Sequence, residues 1–453
     1  MNTSPRLRVL LAAQAAFMVG FSSVVPFIAV LADDRFALSP AAIGAIVGAR
    51  VAVQQGLFIV GGALADRLGA RTLLLTGCAV RAGGFLLLAL APTPTVFVVA
   101  VLLIGVAGAL FSPAVDAYVG AADAEARARP RPASGSGLRA PTPFAALALA
   151  GEAGGIVGAA VGALLMPAHA VPVVIAASAV FTAALAALAR LLPARPTAVR
   201  TPPAAVPSGV DVGHAIPRLR RVLPSAAGAA TVLAVYTQLF SLIPLGMAAR
   251  GVNGGWVGAV SIVLSTTIVV LQWPLSRLAE RLTRPRAVVV GVAAAVLAAG
   301  AGAVSAVAAS LPAFAVAAAT AAVCTALAVM LATPSAQSLV AAAGSVSRRA
   351  TRLGALASAG GALALAASAL AGAVAGTAGL PAAWLVVAVL PATGLVFACI
   401  GARSTPDHPT REEHHDHPPT IPADRRRRPD RPSPAGADRL LRRRRDRTGR
   451  RVR

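Results

Sequence analysis

The sequence contains no lysine, and only 13% of its 453 residues are charged. Soluble domains carry roughly a quarter of charged residues, so water cannot surround most of this chain. Without lysine the Gly-x-x-x-x-Gly-Lys phosphate loop is impossible, which excludes an ATP-driven pump built on that loop. Aromatic residues make up 4%, too few for the stacking platforms that bind single-stranded nucleic acid. Nucleic acid is therefore not an expected partner.

Cysteine is also scarce. Cys78, Cys324 and Cys399 all fall inside apolar runs without metal-ligand spacing, so we interpret them as small buried apolar residues. A histidine cluster near the end of the sequence has acidic neighbours but no preformed geometry to hold an ion; its members are His408, His414, His415 and His417. We expect no metal, no cofactor and no enzymatic activity.

Hydrophobic residues, in contrast, make up 57% of the chain, and the mean hydropathy is +0.75. They form runs long enough to cross a hydrocarbon layer of ~30 Å as helices. Their Ala-, Leu-, Val- and Gly-rich composition does not alternate with polar residues, which disfavours an outer-membrane barrel. The sequence predicts an all-α membrane protein with twelve transmembrane helices at 8–32, 41–64, 72–91, 96–120, 143–166, 170–189, 225–248, 254–276, 287–308, 311–334, 353–376 and 381–401.

The arginines indicate how these spans are oriented. Ahead of the C-terminal tail there are 25, of which 21 fall in the loops on one side of the predicted spans. Only Arg35 and Arg250 fall on the other side, and Arg50 and Arg81 lie within spans. Because basic residues accumulate in cytoplasmic loops, an even number of spans places both termini in the cytoplasm. We expect a multi-pass protein of the inner, or plasma, membrane.

Polar segments divide the chain into four parts. Residues 1–190 form a predicted N-terminal six-helix bundle, 191–222 a cytoplasmic linker, and 223–402 a C-terminal six-helix bundle. Residues 403–453 hold 16 arginines and almost no large apolar side chains, which predicts a disordered basic cytoplasmic tail.

The two predicted bundles also look related. Short motifs recur in the same order at offsets of 221, 214 and 206 residues: 111–114 with 332–335, 65–68 with 279–282, and 154–155 with 360–361. Such repeats are typical of secondary transporters, whose substrate site lies where the halves meet. Chance similarity between alanine-rich helices is the alternative.

The segment after the second predicted span reads Gly-Gly-Ala-Leu-Ala-Asp-Arg-Leu-Gly-Ala-Arg at residues 61–71. It resembles the cytoplasmic loop motif of the Major Facilitator Superfamily, with Ala70 replacing one basic residue. The resemblance implies two pseudo-symmetric six-helix bundles and a cytoplasmic gate latched by this loop. The positions carried over are Gly62, Asp66, Arg67, Gly69 and Arg71; ordinary helix ends with positive-inside charges are the alternative.

The fifth predicted span resembles the antiporter motif of the same superfamily. Gly154, Gly158 and Gly162 match it, whereas Ala159 and Ala163 replace its proline and last glycine. Close helix packing without antiport is the alternative. Residues 50–56 and 81–85, on either side of the loop motif, resemble segments of multidrug exporters in the drug:proton antiporter branch. The fourth span lacks the arginine that many members of that branch carry.

Charged side chains within spans are costly and therefore functional candidates. Glu152 is the candidate for proton coupling, because it is the only acidic residue deep within a predicted span. Arg50, Arg81 and Asp116 are its candidate charge partners, with Arg81 expected to be structural and Asp116 to be near the interface. A permanently paired Glu152 is the alternative. Gln14, Tyr236 and Gln238 are candidates for a polar cavity.

These features favour a secondary active transporter that couples proton entry to efflux of small amphipathic or cationic, drug-like molecules. We expect a monomer whose partners are its substrate, protons and the lipid bilayer. Two alternatives stay open: an importer or facilitator of a small nutrient or metabolite, and a membrane sensor or scaffold that transports nothing.

Overall fold

The computed structural model describes residues 5–128, 143–192, 212–343 and 349–404. All regular elements in these ranges are helical. They are α1 (Pro5–Ser22), α2 (Ile28–Phe36), α3 (Pro40–Gly56), α4 (Phe58–Leu68), α5 (Ala70–Ala89), α6 (Pro94–Ala128), α7 (Pro143–Leu191), α8 (Val212–Ala230), α9 (Val232–Gln238), α10 (Leu242–Ala248), α11 (Trp256–Arg281), α12 (Arg284–Val307), α13 (Leu311–Ala342) and α14 (Arg349–Ser404), with a 3-10 turn at Val25–Phe27.

The predicted helical class is confirmed, but the count of twelve spans is not. Ten helical segments of the described ranges are long and apolar enough to cross a membrane. Two of them are far longer than one crossing requires, at 46 and 54 residues. Each contains one residue with non-helical backbone angles, His169 in α7 and Gly379 in α14. Helix α8 starts at Val212, inside the predicted linker of 191–222. Residues 193–211 of that linker and residues 405–453 of the predicted tail lie outside the described residues.

Proline has different effects in different helices. Near Pro26 and Pro244 the helices are interrupted, so that α1 is separated from α2 and α9 from α10. In contrast, α6 continues through Pro113 and α13 continues through Pro334. A proline removes one backbone hydrogen bond, which a surrounding bundle can tolerate. The interruptions therefore occur in the first and seventh predicted spans, at corresponding places in the two halves.

The helices pack in two sets. In the first, α1 packs against α7, and α5 packs against both α6 and α7. In the second, α12 packs against α13 and α14, and α8 against α14. Two helix pairs join the sets, α3 with α14 and α7 with α11. The space between these two seams is where a central cavity can form.

The outer surface of the bundle is apolar. Large side chains that are more than half exposed include Leu164, Val270, Leu297, Val316 and Leu385. The interior of α12 and α13, in contrast, is filled largely by alanine. Small residues inside and large apolar residues outside are the pattern expected when lipid, not water, covers the surface and close packing holds the helices together.

Glycines bring α3 and α14 into backbone contact. A Cβ atom added at Gly44 would overlap the carbonyl oxygen of Ser368, and one added at Gly372 would overlap that of Pro40. At Gly48 the added Cβ would lie 2.9 Å from the Cα of Leu365. The seam between the halves therefore depends on positions that have no side chain.

The close contact at this seam predicts that alanine substitutions at two helical glycines differ in their effect on stability. Gly44→Ala should destabilise the protein by about 1–3 kcal/mol, because the methyl group forces α3 away from Ser368. Gly83→Ala is the matched control, since nothing lies within 4 Å of its added Cβ and alanine is the better helix former. Thermal unfolding in detergent measures both variants. Equal melting temperatures for the two would contradict the close contact at the seam.

Candidate functional site

A cavity of about 1030 Å³ lies between the two sets of helices. Both sets contribute to its wall, and its polar lining residues are Ser22, Arg50, Gln54, Gln55, Ser112, Asp116, Glu152, Tyr236, Thr237, Ser261, Ser265, Thr333, Gln337 and Thr351. The remaining lining residues are mostly apolar. A large apolar cavity with a few polar groups is the usual form of a small-molecule site.

The cavity extends toward one end of the bundle. Ala63 in the middle of α4, Ala117 in the last third of α6 and Thr351 in the first turn of α14 line it there. At the opposite end the halves are in contact: an added Cβ at Gly255 would overlap the carbonyl oxygen of Ala163, and one at Gly254 would lie 2.6 Å from Val30. The cavity therefore runs from the middle of the bundle to the end that carries the 61–71 loop.

Glu152 lies on the wall of this cavity and is partly buried. The Ser265 hydroxyl of α11 is its hydrogen-bonding neighbour. Tyr236 of α9 lies near enough to interact electrostatically with both Glu152 and Arg50. The carboxyl group thus adjoins residues of the second set of helices, although α7 belongs to the first.

Arg50 also lines the cavity, but it is only 7% exposed. Its Nη1 donates a hydrogen bond of 3.3 Å to Oε1 of Gln54, one helical turn further on. Within the described ranges no ion pair joins Arg50 to Glu152; Tyr236 lies beside both instead. Of the other predicted charges, Asp116 lines the cavity.

Arg81 lies behind the cavity wall and is also 7% exposed. Its guanidinium carbon is 5.2 Å from the ring centre of Phe21, 5.5 Å from that of Phe181 and 5.8 Å from that of Phe111. The same Phe21 ring lies 5.7 Å from the guanidinium carbon of Arg50. Aromatic faces attract cations, so these rings offset part of the cost of burial.

The other two predicted polar candidates do not line the cavity as the described residues define it. Gln14 contacts Gly151, where an added Cβ would lie 3.2 Å from its Nε2. Gln238 is fully buried and joins α9 to α14: its Nε2 donates to Oγ of Ser368 at 3.1 Å, and its Oε1 accepts from Oγ of Ser241 at 2.8 Å. These contacts give Gln238 the position of a packing residue next to the cavity.

The glycines of α7 lie on two faces. Gly154 and Gly158 face α1, where an added Cβ would overlap the carbonyl oxygens of Ala15 and Val19, and Gly162 faces the Phe27 ring. The face turned toward α11 carries Gly155 instead, whose added Cβ would lie 3.4 Å from Oγ of Ser265. The three motif glycines therefore pack within the first set of helices.

The segment predicted as a loop at 61–71 is mostly helical: residues 61–68 end α4, Gly69 joins the two helices, and residues 70–71 begin α5. Gly69 has a φ angle of +86°, a conformation that favours glycine. The chain can therefore turn directly into α5. Arg71 donates to the carbonyl oxygen of Ala189 in the last turn of α7, and Arg67 is exposed. Gly62 and Asp66 lie in α4, but their side chains are outside the described part of the structure.

Several neighbours of the predicted residues were missed by the sequence analysis. Gln54 had a local signal, since it lies four residues after Arg50 and hence on the same helix face. Ser265 and Phe21 had none, because they come from distant helices. No group of three potential metal ligands exists among the described residues; the histidine-rich tail lies outside them.

The sequence profile of the Major Facilitator Superfamily matches residues 10–347. The chain belongs to the Major Facilitator Superfamily. This confirms the resemblance at the level of the superfamily, and the chain is accordingly a multi-pass integral membrane protein of a transporter family.

Two curated relatives are similar to parts of the chain. An uncharacterized MFS-type transporter of Mycobacterium tuberculosis is 41% identical over 114 residues, which are 25% of this chain and 27% of that protein. The multidrug resistance protein MdtH of Yersinia pestis is 29% identical over 272 residues, 58% of this chain and 62% of that protein. The chain thus matches about a quarter of the first relative and less than two thirds of the second.

Solved structures share the fold over nearly all of the described bundle. A crystal structure of the peptide transporter POT has a TM-score of 0.70 at 14% identity, covering 88% of this chain and 94% of that one. The nucleoside transporter NupG has a TM-score of 0.67 at 14% identity, covering 88% and 100%. At these identities the likeness shows the common fold alone.

Because Ser265 lines the cavity, we predict that water-soluble reagents can reach a cysteine at this position. In a variant without the three native cysteines, Ser265→Cys should react with a small water-soluble methanethiosulfonate at least about tenfold faster than Ser225→Cys, because modification needs an accessible thiolate. Ser225 is the matched control because it is fully buried and away from the cavity. Equal rates, measured by mass spectrometry, would contradict an accessible cavity.

Proposed function

We propose that this chain is a proton-coupled exporter of small amphipathic molecules that works by alternating access in the cell membrane. The single observation that carries the proposal is the position of Glu152 on the wall of the cavity between the halves. A carboxyl group there can take up or release a proton while facing the same space as the substrate. The similarity to MdtH supports export of drug-like molecules.

The proposed mechanism needs twelve crossings in two related halves. The interruptions at His169 and Gly379 support two crossings in each of the two longest helices, which would convert ten segments into twelve. In this arrangement the bundles 1–190 and 223–402 rock about the seams that α3 forms with α14 and α7 forms with α11. The cavity would then face the cytoplasm in the conformation described here, because it extends to the end that carries the 61–71 loop.

Coupling follows from competition inside one cavity. In the cytoplasm-facing state Glu152 releases its proton to the cytoplasm, and the ionised carboxylate then binds a basic group of the substrate. In the opposite state, exposure to more acidic solution returns the proton to Glu152 and releases the substrate. The groups facing Glu152 in the described structure are Ser265 and Tyr236, both of which can donate hydrogen bonds to its ionised form. We also propose that Asp66, Arg67 and Arg71 latch the cytoplasmic gate.

Export assays test the coupling residue. A pump-deficient host that expresses the protein is exposed to a panel of amphipathic toxic compounds at several external pH values. We expect wild-type export to rise as the outside becomes more acidic, and Glu152→Gln to lose both export and this dependence, because an amide cannot exchange a proton. Asp34→Asn is the control, since Asp34 is exposed and outside the cavity lining.

Equal export by wild type and Glu152→Gln, with the same response to pH, would refute the coupling assignment. Accumulation of a panel compound by wild-type cells would indicate import. The absence of any flux in reconstituted vesicles would favour the sensor or scaffold.

The orientation predicts that both ends of the chain are cytoplasmic. Green fluorescent protein fused to either terminus should fluoresce, whereas alkaline phosphatase fused at the same positions should be inactive, because it folds only outside the cytoplasm. A phosphatase fusion after Arg250, which lies in the predicted outside loop between α10 and α11, should be active. An active terminal phosphatase fusion would reverse the orientation derived from the arginines.

A further inference from the structure

Arg50 and Arg81 form a pair of buried cations without a counter-ion in the described structure. Each is only 7% exposed, and neither has a carboxylate within ion-pair distance among the described residues. The two guanidinium groups are close enough to interact electrostatically with each other. Because like charges repel and burial removes water, such a pair is costly unless an anion joins it.

The contacts that the protein provides do not neutralise this charge. Arg50 has one hydrogen bond to a neutral amide, that of Gln54 at 3.3 Å. The Nε atom of Arg81 is buried with no hydrogen-bond partner. The Phe21, Phe111 and Phe181 rings attract the cations by cation–π contact, but they carry no negative charge. Among the described residues, therefore, no negatively charged acceptor contacts the pair.

Geometry determines which of the two arginines a ligand can reach. Arg50 and Gln54 line the cavity, whereas Arg81 lies behind them. A Cβ added at Gly108 would lie 2.8 Å from both Nη2 of Arg81 and Cδ of Gln54, so these groups share one site beside α6. The second cation thus adds positive potential directly behind the guanidinium that faces the cavity.

The opposite charge of the cavity is separate from this site. Glu152 and Asp116 line the same cavity, and Tyr236 lies beside both Arg50 and Glu152 without bringing them into an ion pair. The cavity wall therefore presents the Arg50 cation and two acidic groups, Glu152 and Asp116. Neither acidic group forms an ion pair with Arg50 in the described structure. A molecule with an acidic and a basic group could complement both.

We infer that Arg50 binds an acidic group of the transported molecule, and that the substrates are amphipathic molecules which carry a carboxylate as well as a basic group. The planar guanidinium can donate two parallel hydrogen bonds to a carboxylate, with the amide of Gln54 at its side. The basic group then lies toward Glu152. This inference rests on the proposed function, in which proton and substrate meet in one cavity. The binding step can nevertheless be tested without transport.

Two fluorescent probes isolate the carboxylate. Nε-dansyl-lysine and dansylcadaverine share the fluorophore, the chain and the amine, and they differ only in the carboxylate of the first. Binding is measured by fluorescence titration of the full-length protein in phosphatidylcholine nanodiscs at one pH, with empty nanodiscs subtracted. We expect wild type to bind Nε-dansyl-lysine at least about tenfold more tightly, as for one charge-assisted hydrogen-bonded contact.

Variants then assign the preference to Arg50. Arg50→Gln should weaken binding of Nε-dansyl-lysine to the level of dansylcadaverine and leave dansylcadaverine unchanged. Arg50→Lys should keep part of the preference, because it retains the charge but not the planar fork. Arg221→Gln is the matched control, since Arg221 is exposed at the start of the second half. Unchanged dansylcadaverine binding also shows that the Arg50 variants are folded.

The inference is overturned if wild type binds the two probes equally, if it binds neither, or if Arg50→Gln keeps the preference. These results are independent of the proposed function. Proton-dependent export that requires Glu152 without a carboxylate preference would remove the inference and leave the exporter. A preference that requires Arg50, with no flux in vesicles, would retain the binding site and remove the exporter.

Discussion

Close contact between backbones along two helix seams is the constraint on which the rest of the structure depends. Without a hydrophobic force between helices in lipid, association relies on packing and on small residues that let helices approach. Gly44, Gly48 and Gly372 provide this approach between α3 and α14, and Gly255 and Gly258 provide it between α7 and α11. The halves therefore meet along narrow lines and leave a cavity between them. In the described conformation these contacts close one end of the cavity and not the other.

Unpaired carbonyl groups at helix ends explain the exceptions in the arginine distribution. Arg35, in the last turn of α2, and Arg250, just after α10, are the two arginines on the side that otherwise has none, and each binds carbonyl oxygens where a helix ends. Arg35 donates to Leu88 and Ala91 at the end of α5, at 2.9 and 2.8 Å. Arg250 donates to Ser305, Ala306 and Ala308 at the end of α12, at 3.0–3.1 Å. The unpaired carbonyls of a helix C-terminus attract a cation, so these arginines have a local structural role.

These two arginines also strengthen the evidence for an internal repeat. Arg250 follows Arg35 by 215 residues, within the range of the sequence offsets, and each residue caps the corresponding helix of its half. The breaks at His169 and Gly379 are 210 residues apart. Matching contacts at matching positions are harder to explain by chance than short motifs in alanine-rich helices. The two halves therefore share local architecture as well as composition.

Burial of charge separates this cavity from the lipid-facing surface. The outside of the bundle presents apolar side chains, whereas Arg50, Glu152 and Asp116 are gathered around the central space. Each charge would be costly in hydrocarbon, and a place on the wall of a partly polar cavity lowers that cost. In the described structure Arg50 and Glu152 line this space without forming an ion pair with each other. Tyr236 lies near enough to interact electrostatically with both.

Much of the fold could be predicted from the sequence because hydrophobicity and charge act locally along a helix. The apolar runs predicted a helical membrane protein, the scarcity of charged residues within the spans made Arg50 and Glu152 stand out, and the 61–71 motif indicated the superfamily. Twelve separate helices were not recovered, since the chain stays helical across most of the turns near His169 and Gly379. Nor did sequence separate Gln238, which packs in the interior, from Tyr236, which lines the cavity. Which face of a helix meets the cavity, which rings surround Arg81 and whether two opposite charges pair all depend on contacts between distant helices, and only the tertiary structure decided them.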